Sequence, residues 1–328
     1  MAATDPQRIA LIGLGTIGMS MAALHLSREN TIVDVFDTRP DIKEYLLQTL
    51  PNFLANNNPN SDQSPTVNGL IASGRLHIHA TLDSACASAT IIQEQGPENL
   101  AFKQSIWAQV ESTAPATAHF WTSTSGIAAS AQQADMADKT RLLVVHPFNP
   151  PHIMPLLEIV PSPSTAPERV EFAREYFSLP PGESRHRPVV IRKEIPGFVG
   201  NRLAFALLRE ACYLVQEDVV SVKDLDTILM ASLGPRWAGN GVFESYQQGG
   251  GEGGIKAFLE KLGGTMQEVW GGLGDVNVLG SEKTEWKRRV IQQTDEAYGT
   301  LTKEGVWEKE ERLKDFIRAQ ERRYGGEK

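Results

Sequence analysis

The chain has 328 residues, ordinary apolar and charged fractions and a formal net charge of -8. That length supports a large core and two domains, and the acidic balance excludes the basic footprint of a nucleic-acid binder. Two cysteines, Cys86 and Cys212, stand in no metal-type or redox-type spacing, so free thiols, a reducing compartment and no metal site are expected. No apolar run reaches the ~20 residues that span a bilayer, and neither end carries a signal-peptide pattern or a retention address. A cytoplasmic enzyme or binding protein is the expectation, with no membrane and no nucleic-acid partner.

Arg8 to Ile12 reads as a short apolar strand, Thr16 to Ser27 as a helix and Thr31 to Phe36 as a second strand. Between the first strand and helix stands Gly13-Leu14-Gly15-Thr16-Ile17-Gly18. The spacing suits a dinucleotide loop. The first glycine permits the tight turn, the second lets the backbone approach a pyrophosphate, and the third lets helix and sheet pack closely. The helix N-terminus then offers free N–H groups and a positive dipole end to the phosphates. An acid, Asp37, closes the second strand. It is placed to accept from ribose hydroxyls and would repel a 2′-phosphate, which favours NAD over NADP. Arg39, two residues on, weakens that preference.

Asp41 to Leu50 reads as a helix, and residues 51–68, rich in Asn, Pro and Ser, as a loop. Strand character returns at Leu76 to Ala80 and Thr90 to Gln93, followed by a helix from Glu98 to Glu111 and a strand from His119 to Thr122. The hydroxyl run Thr122-Ser123-Thr124-Ser125-Gly126 follows that strand. Next, Leu142 to Val145 reads as a buried strand that delivers His146 to its carboxyl end, and a proline-rich reversal follows. The chain re-enters an apolar run, Leu156 to Val160, with one carboxylate, Glu158, embedded in it. A lone Glu in such a run is expensive to bury unless paired. Its natural partner is His146, which would gain basicity and a fixed tautomer. His152 has no such support and reads as structural or exposed.

Thr165 to Leu179 is helical, and Pro188 to Arg192 is the last expected strand. Beyond it strand signals almost vanish. Gly197 to Glu217 has helical spacing, Ser221 caps a further helix through Leu233, and Thr284 to Arg323 reads as solvated amphipathic helices. The fold class is α/β: an N-terminal Rossmann-type, doubly wound, mostly parallel sheet over residues 1–194, then an all-helical domain over 195–328. Ligands of doubly wound sheets bind outside the carboxyl ends of the strands. The glycine loop, the hydroxyl run and His146 all follow such ends. The residues alone leave Ser123 and Ser125 as equal candidates.

Together, the glycine loop, the Thr-Ser-Thr-Ser run, His146-Pro-Phe-Asn-Pro with a Glu at 158, and Gly197-Phe-Val-Gly-Asn-Arg202 resemble the L-3-hydroxyacyl-CoA dehydrogenase superfamily over nearly the whole chain. Pro155 to Pro161, Gly234-Pro-Arg-Trp-Ala238 and Gly251-Glu-Gly-Gly254 are closer to its short branch containing lambda-crystallin/L-gulonate 3-dehydrogenase and L-carnitine dehydrogenase. The resemblance implies an NAD-dependent oxidoreductase that interconverts a 3-hydroxy and a 3-keto group. It places the catalytic histidine on His146, the orienting glutamate on Glu158, the active-site serine on Ser125 and the substrate-facing asparagine on Asn201. It sets Glu98 and Lys103 near the nicotinamide half of the cofactor, and it implies a homodimer through the helical domain.

Acyl-CoA members of that superfamily carry a long, charged helical hairpin after the second strand and its helix. Here the corresponding segment is short and holds Asn56-Asn-Asn-Pro-Asn60, a poor helix former with few lysines for a CoA phosphate. A small, carboxylated hydroxy or keto substrate is therefore expected, with Arg236 as its carboxylate anchor. The alternatives are an acyl-CoA substrate and a non-catalytic, crystallin-like NAD-binding protein. The chain departs from the branch at Asn240-Gly-Val-Phe-Glu244, which suggests a specialised ketone and reduction as the working direction.

Overall fold

The computed structural model describes residues 6–57, 65–178, 186–279, 285–300 and 302–324. The chain divides into two compact units, Met1–Asn201 and Arg202–Lys328.

The first unit is built on an eight-stranded sheet of order β3-β2-β1-β4-β5-β6-β7-β8. The strands are β1 (Gln7–Ile12), β2 (Thr31–Phe36), β3 (Leu76–Ile78), β4 (Ile91–Glu94), β5 (His119–Thr122), β6 (Leu142–Pro147), β7 (Leu156–Pro161) and β8 (Arg187–Val190). All neighbours run parallel except β6 and β7. The chain reverses its direction of travel across the sheet between β1 and β4, the switch point where doubly wound sheets bind their ligands. The central strands read as unbroken apolar runs because both faces are covered. Leu142, Leu143, Val144 and Val145 of β6 are all fully buried.

On one face α1 (Thr16–Leu26), α2 (Ile42–Asn57) and α7 (Pro167–Phe177) cover Leu11, Val33, Trp121 and Leu143. On the other, Trp107 of α5 (Leu100–Thr113) stacks on Phe120 at 5.4 Å, beside Leu142 and Val144. Asn99 caps α5 by accepting from the Phe102 N–H. The short helices α3 (Val67–Ala72), α4 (Leu82–Cys86) and α6 (Ala129–Gln132) complete the layers.

The expected loop at 51–68 is corrected in its described parts. Helix α2 continues through Pro51 to Asn57, and α3 begins at Val67. Leu46, Leu50 and Leu54, four residues apart, are all buried. That stripe outweighs the hydrogen bond lost at Pro51. Residues 58–64 lie outside the described chain, as do 179–185 and 280–284, on which the expected ends of two helices fall.

The second unit is helical among its described residues. It contains the greater part of α8 (Gly200–Gln216), then α9 (Val222–Ile228), a π turn at Leu229–Leu233, α10 (Gly234–Gly249), α11 (Gly254–Gly271), α12 (Glu285–Tyr298) and α13 (Lys303–Tyr324). Ser221 caps α9 through the Asp224 N–H, as its position predicts. The Asn240–Glu244 segment sits where α10 kinks, with Gly241 at φ 67°. Among the described residues no helix is long and apolar enough to cross a membrane.

Candidate active site

The glycine loop, Asp37 and the turn after β4 line one cleft of about 340 Å³, with Gly13, Gly15, Thr38, Pro97 and Phe102 on its walls. Gly13 holds φ at +90°, and a Cβ there would press on the Gln95 carbonyl at 3.0 Å. At Gly18 a Cβ would lie 2.1 Å from the Gly13 carbonyl oxygen, so loop and helix close on each other. Gly15 is different. The space its Cβ would take is open, and the α1 N-terminus has no side-chain cap. Open room beside uncapped helix amides fits a pyrophosphate. Leu14, Thr16 and Ile17 complete that turn, and the Leu14 N–H is committed to Asp37 Oδ2 at 2.7 Å. Asp37 Oδ1 accepts from the Arg39 N–H at 2.9 Å, and the half-buried carboxylate still lines the cleft.

The pairing of His146 with Glu158 is set by strand register. In the antiparallel β6–β7 pair, His146 stands directly opposite Glu158. The proline-rich reversal between them is tied by the Ile153 and Met154 N–H groups, which both donate to the Pro150 carbonyl at 2.9 Å. His146 Nδ1 lies 2.9 Å from Glu158 Oε2, and both side chains are buried. A carboxylate can only accept, so Nδ1 carries the proton and Nε2 presents the basic lone pair. Nε2 has no hydrogen-bond partner among the described residues.

Glu158 Oε1 accepts from the Val199 and Gly200 N–H groups at 3.0 and 2.9 Å. Burial opposes its ionisation. The His146 hydrogen bond and these two backbone donors outweigh burial and hold the carboxyl below its ordinary value. Gly197 and Phe198, at φ 74° and 50°, make the left-handed turn before those donors. Phe148 and Phe198 flank the imidazole at 4.9 and 5.5 Å, and a Cβ on Gly200 would strike the Phe148 ring at 2.2 Å.

The hydroxyl run is pinned by one carboxylate. Glu98 Oε1 accepts from the Thr124 hydroxyl and from the Ser125 and Gly126 N–H groups, the latter two at 3.2 and 3.1 Å. Asn201 Nδ2 donates to the Ser125 carbonyl at 2.9 Å. Ser125, Asn201 and Glu98 are therefore drawn together, with the side chain of Ser125 exposed. Lys103 is fully buried, its ammonium 2.9 Å from both Glu94 oxygens and 3.7 Å from Glu98. Ser123 points elsewhere. Its hydroxyl accepts from Gln93 Nε2 at 3.0 Å, at the end of a buried chain through His25 to Tyr176.

Glu94 is the residue that sequence reasoning missed. It is fully buried and also accepts from the Thr122 hydroxyl at 2.8 Å and the Gly96 N–H. The signal was available: a carboxylate after Ile91-Ile92-Gln93 repeats the pattern that marks Glu158, but the strand was expected to end at Gln93. His152 is structural, buried with Nδ1 3.1 Å from the Ser20 hydroxyl. Arg236 lines a pocket of about 330 Å³ within the second unit, with Trp237, Asn240, Tyr246 and Phe258. Among the described residues no group of three or more His, Cys, Asp or Glu is placed to hold a metal ion.

Residues 8–194 match the 3-hydroxyacyl-CoA dehydrogenase NAD-binding domain, and residues 197–285 match the C-terminal domain of the same family. The chain belongs to the 3-hydroxyacyl-CoA dehydrogenase family. It is accordingly an NAD-dependent dehydrogenase acting on a CH–OH group. An L-carnitine dehydrogenase of Mesorhizobium japonicum is 35% identical over 298 residues, covering 90% of this chain and 79% of the relative. One from Streptomyces griseus is 34% identical, covering 81% and 76%. The solved structure of an NAD+-dependent dismutase, 5-formyl-3-hydroxy-2-methylpyridine 4-carboxylic acid 5-dehydrogenase, superposes with a TM-score of 0.78 at 25% identity, covering 98% of this chain and 100% of that one. The family's 3-hydroxybutyryl-CoA dehydrogenase from Escherichia coli gives 0.60 at 26% identity, covering 73% and 47%.

The depressed Glu158 carboxyl makes a stability prediction. A group whose folded value lies below its unfolded one contributes stability above the unfolded value and loses it as pH falls through the folded one. The melting temperature of the unmodified chain should exceed that of Glu158→Gln above the ordinary carboxyl value of 4.5, and the gap should narrow below it. Thermal melts in steps of pH check this. A gap that does not change with acid would show that Glu158 is not held ionised.

Proposed function

We propose that the chain interconverts a 3-hydroxy and a 3-keto group on a small carboxylated substrate, with His146 and Glu158 as its acid–base couple. The observation that carries the reading is the Nδ1–Glu158 bond, which commits one ring nitrogen of His146 to the carboxylate and leaves Nε2 as the nitrogen available to a substrate, with Ser125 and Asn201 joined to each other nearby in the chain's fold. His146 Nε2 takes the proton from the substrate hydroxyl. NAD, when bound, supplies the hydride acceptor. The loop Gly13, Leu14, Gly15, Thr16, Ile17 and Gly18 would hold its pyrophosphate, with Gly15 giving the open approach, and Asp37 would hold its ribose, while Glu98, which pins the 124–126 turn, and Lys103 beside it would shape the nicotinamide side. Glu158 stabilises the imidazolium that forms, itself steadied by two backbone donors. Ser125 hydrogen-bonds the reacting oxygen, and Asn201 both faces the substrate and anchors Ser125.

Relatives named L-carnitine dehydrogenase point to a small 3-hydroxy substrate in preference to an acyl-CoA. The segment after β2 supports this, since its described part holds α2 and the six-residue α3 and no long hairpin. Arg236, without a carboxylate partner among the described residues and beside Trp237, is the carboxylate anchor. The Asn240–Glu244 departure includes one residue of this pocket, Asn240, and the Gly241 kink that follows it. The NAD-binding role falls to residues 1–194 and the substrate and pairing roles to 195–328. A homodimer through the helical domain is supported by Leu203, Phe205 and Leu208 of α8, which are 64%, 61% and 54% exposed. Two free, buried thiols suit a reducing, cytoplasmic setting, and burial pushes Cys86 up to about 12.

An NAD-reduction assay across gulonate, carnitine and 3-hydroxybutyrate as free acids, and across 3-hydroxybutyryl-CoA, tests the class. Turnover confined to the CoA thioester would overturn the free-acid reading. His146→Ala should lose at least about 10²-fold in kcat while still binding NADH. NADH binding by the unmodified chain with no turnover on any hydroxy acid or ketone would support the crystallin-like alternative. Arg236→Met should raise KM for a carboxylated substrate about tenfold or more, with kcat little changed; an unchanged KM would remove Arg236 from the site. Gel filtration should give a dimer, and Leu203→Glu with Leu208→Glu should give a monomer. A monomer near 36 kDa for the unmodified chain would sink the dimer.

A further inference from the structure

Arg39 is the one cation of the Asp37 turn, and the family's activity gives it no task. It lies two residues beyond the acid that faces the ribose and directly after Thr38, which lines the cofactor cleft. An arginine near that acid is the usual means of receiving a 2′-phosphate. In this structure its guanidinium is engaged elsewhere. Nε lies 3.0 Å from Asp41 Oδ1, and the guanidinium carbon sits 3.6 Å above the centre of the Tyr45 ring. Its backbone N–H meanwhile donates to Asp37. The side chain is thus held from two directions, by a carboxylate at the start of α2 and by an aromatic face one turn into it.

We infer that Asp41 and Tyr45 hold Arg39 away from the cofactor, so that rejection of NADP has two layers: repulsion by Asp37 and withdrawal of the arginine that would otherwise attract the phosphate. The inference rests on Asp37 facing the ribose. Neither restraint is strong alone. An exposed ion pair contributes little, and a cation over a tyrosine face contributes modestly. Both must be given up before the guanidinium can reach a phosphate, so freeing Arg39 should produce a measurable gain, while the repulsion by Asp37 remains and keeps the preference from reversing fully. The arrangement also has a clear polarity. Loss of Asp41 or Tyr45 should act on the phosphorylated cofactor alone, because neither residue lines the cleft.

The test is direct binding of NADH and NADPH to the full chain by calorimetry, without turnover. Asp41→Asn combined with Tyr45→Leu should tighten NADPH about tenfold and leave NADH unchanged. Adding Arg39→Met should abolish that gain. Added salt should erode it, as expected for an exposed charge–phosphate contact. Unchanged NADPH affinity in the double variant would overturn the inference. So would a gain that survives Arg39→Met, or a loss of NADH binding that would make Asp41 and Tyr45 part of the NAD site. Asp37→Ala reports separately on the ribose reading: retained NADH affinity there would refute that reading, whatever the double variant shows.

Discussion

The structure depends on the register of one antiparallel strand pair. A slip of one residue between β6 and β7 would move every side chain to the opposite face of the sheet. Glu158 would then be a buried carboxylate with no base opposite it, and His146 would lose the acceptor that decides which nitrogen bears its proton. The proline-rich reversal guards against this by anchoring two N–H groups on a single carbonyl. The two phenylalanines beside the imidazole limit its tilt. The chemistry of the site is therefore a consequence of a ladder.

The same device recurs around the carboxyl rim of the sheet. Asp37 gathers the Leu14 and Arg39 amides, Glu94 the Gly96 amide, Glu98 the turn at 124–126, and Glu158 the turn at 199–200. Asp37 and Glu94 stand where the chain leaves a strand, Glu98 lies in the turn before α5 and Glu158 inside β7, and each accepts from backbone donors that would otherwise lack partners. Two of these acids, Glu94 and Glu158, are nearly free of solvent and are each balanced by a base from another segment, Lys103 and His146. Removing Lys103 or Glu94 from their buried pair leaves a stranded charge, at a cost of about 3–5 kcal/mol.

The sheet was legible in the sequence because its strands are covered on both faces and so stand out as apolar runs. Strands β2 and β5 begin and end where the residue pattern puts them. The His146–Glu158 couple was legible for an energetic reason, the expense of an unpaired acid in an apolar strand. Other features left less trace. Helices α3, α4 and α6 span six, five and four residues, too few to show a helical period. The extension of α2 is carried by Leu54, hidden behind a proline that normally ends a helix. The role of Glu94 is hidden because the residue pattern of that strand ends one residue before it. The left-handed turn at Phe198 has no signal of its own, since a bulky residue at positive φ is maintained by its surroundings. Choosing Ser125 over Ser123 needed the resemblance, and the structure supplies a local contrast: one hydroxyl is exposed while the other ends an internal chain that begins at Tyr176.

The hairpin that carries the acid and base also has a meaning for assembly of the chain. His146 and Glu158 are separated by 12 positions, whereas β1 and β4, which frame the nucleotide cleft, are joined by contacts across 82. Loop-closure entropy grows with the logarithm of that separation, so bringing the acid–base pair together costs about 1.7 kcal/mol less than closing the cleft. The His146–Glu158 contact is a local property of a short stretch of polypeptide. The cofactor cleft is a property of the whole sheet, and it exists only once segments from distant parts of the chain have found one another.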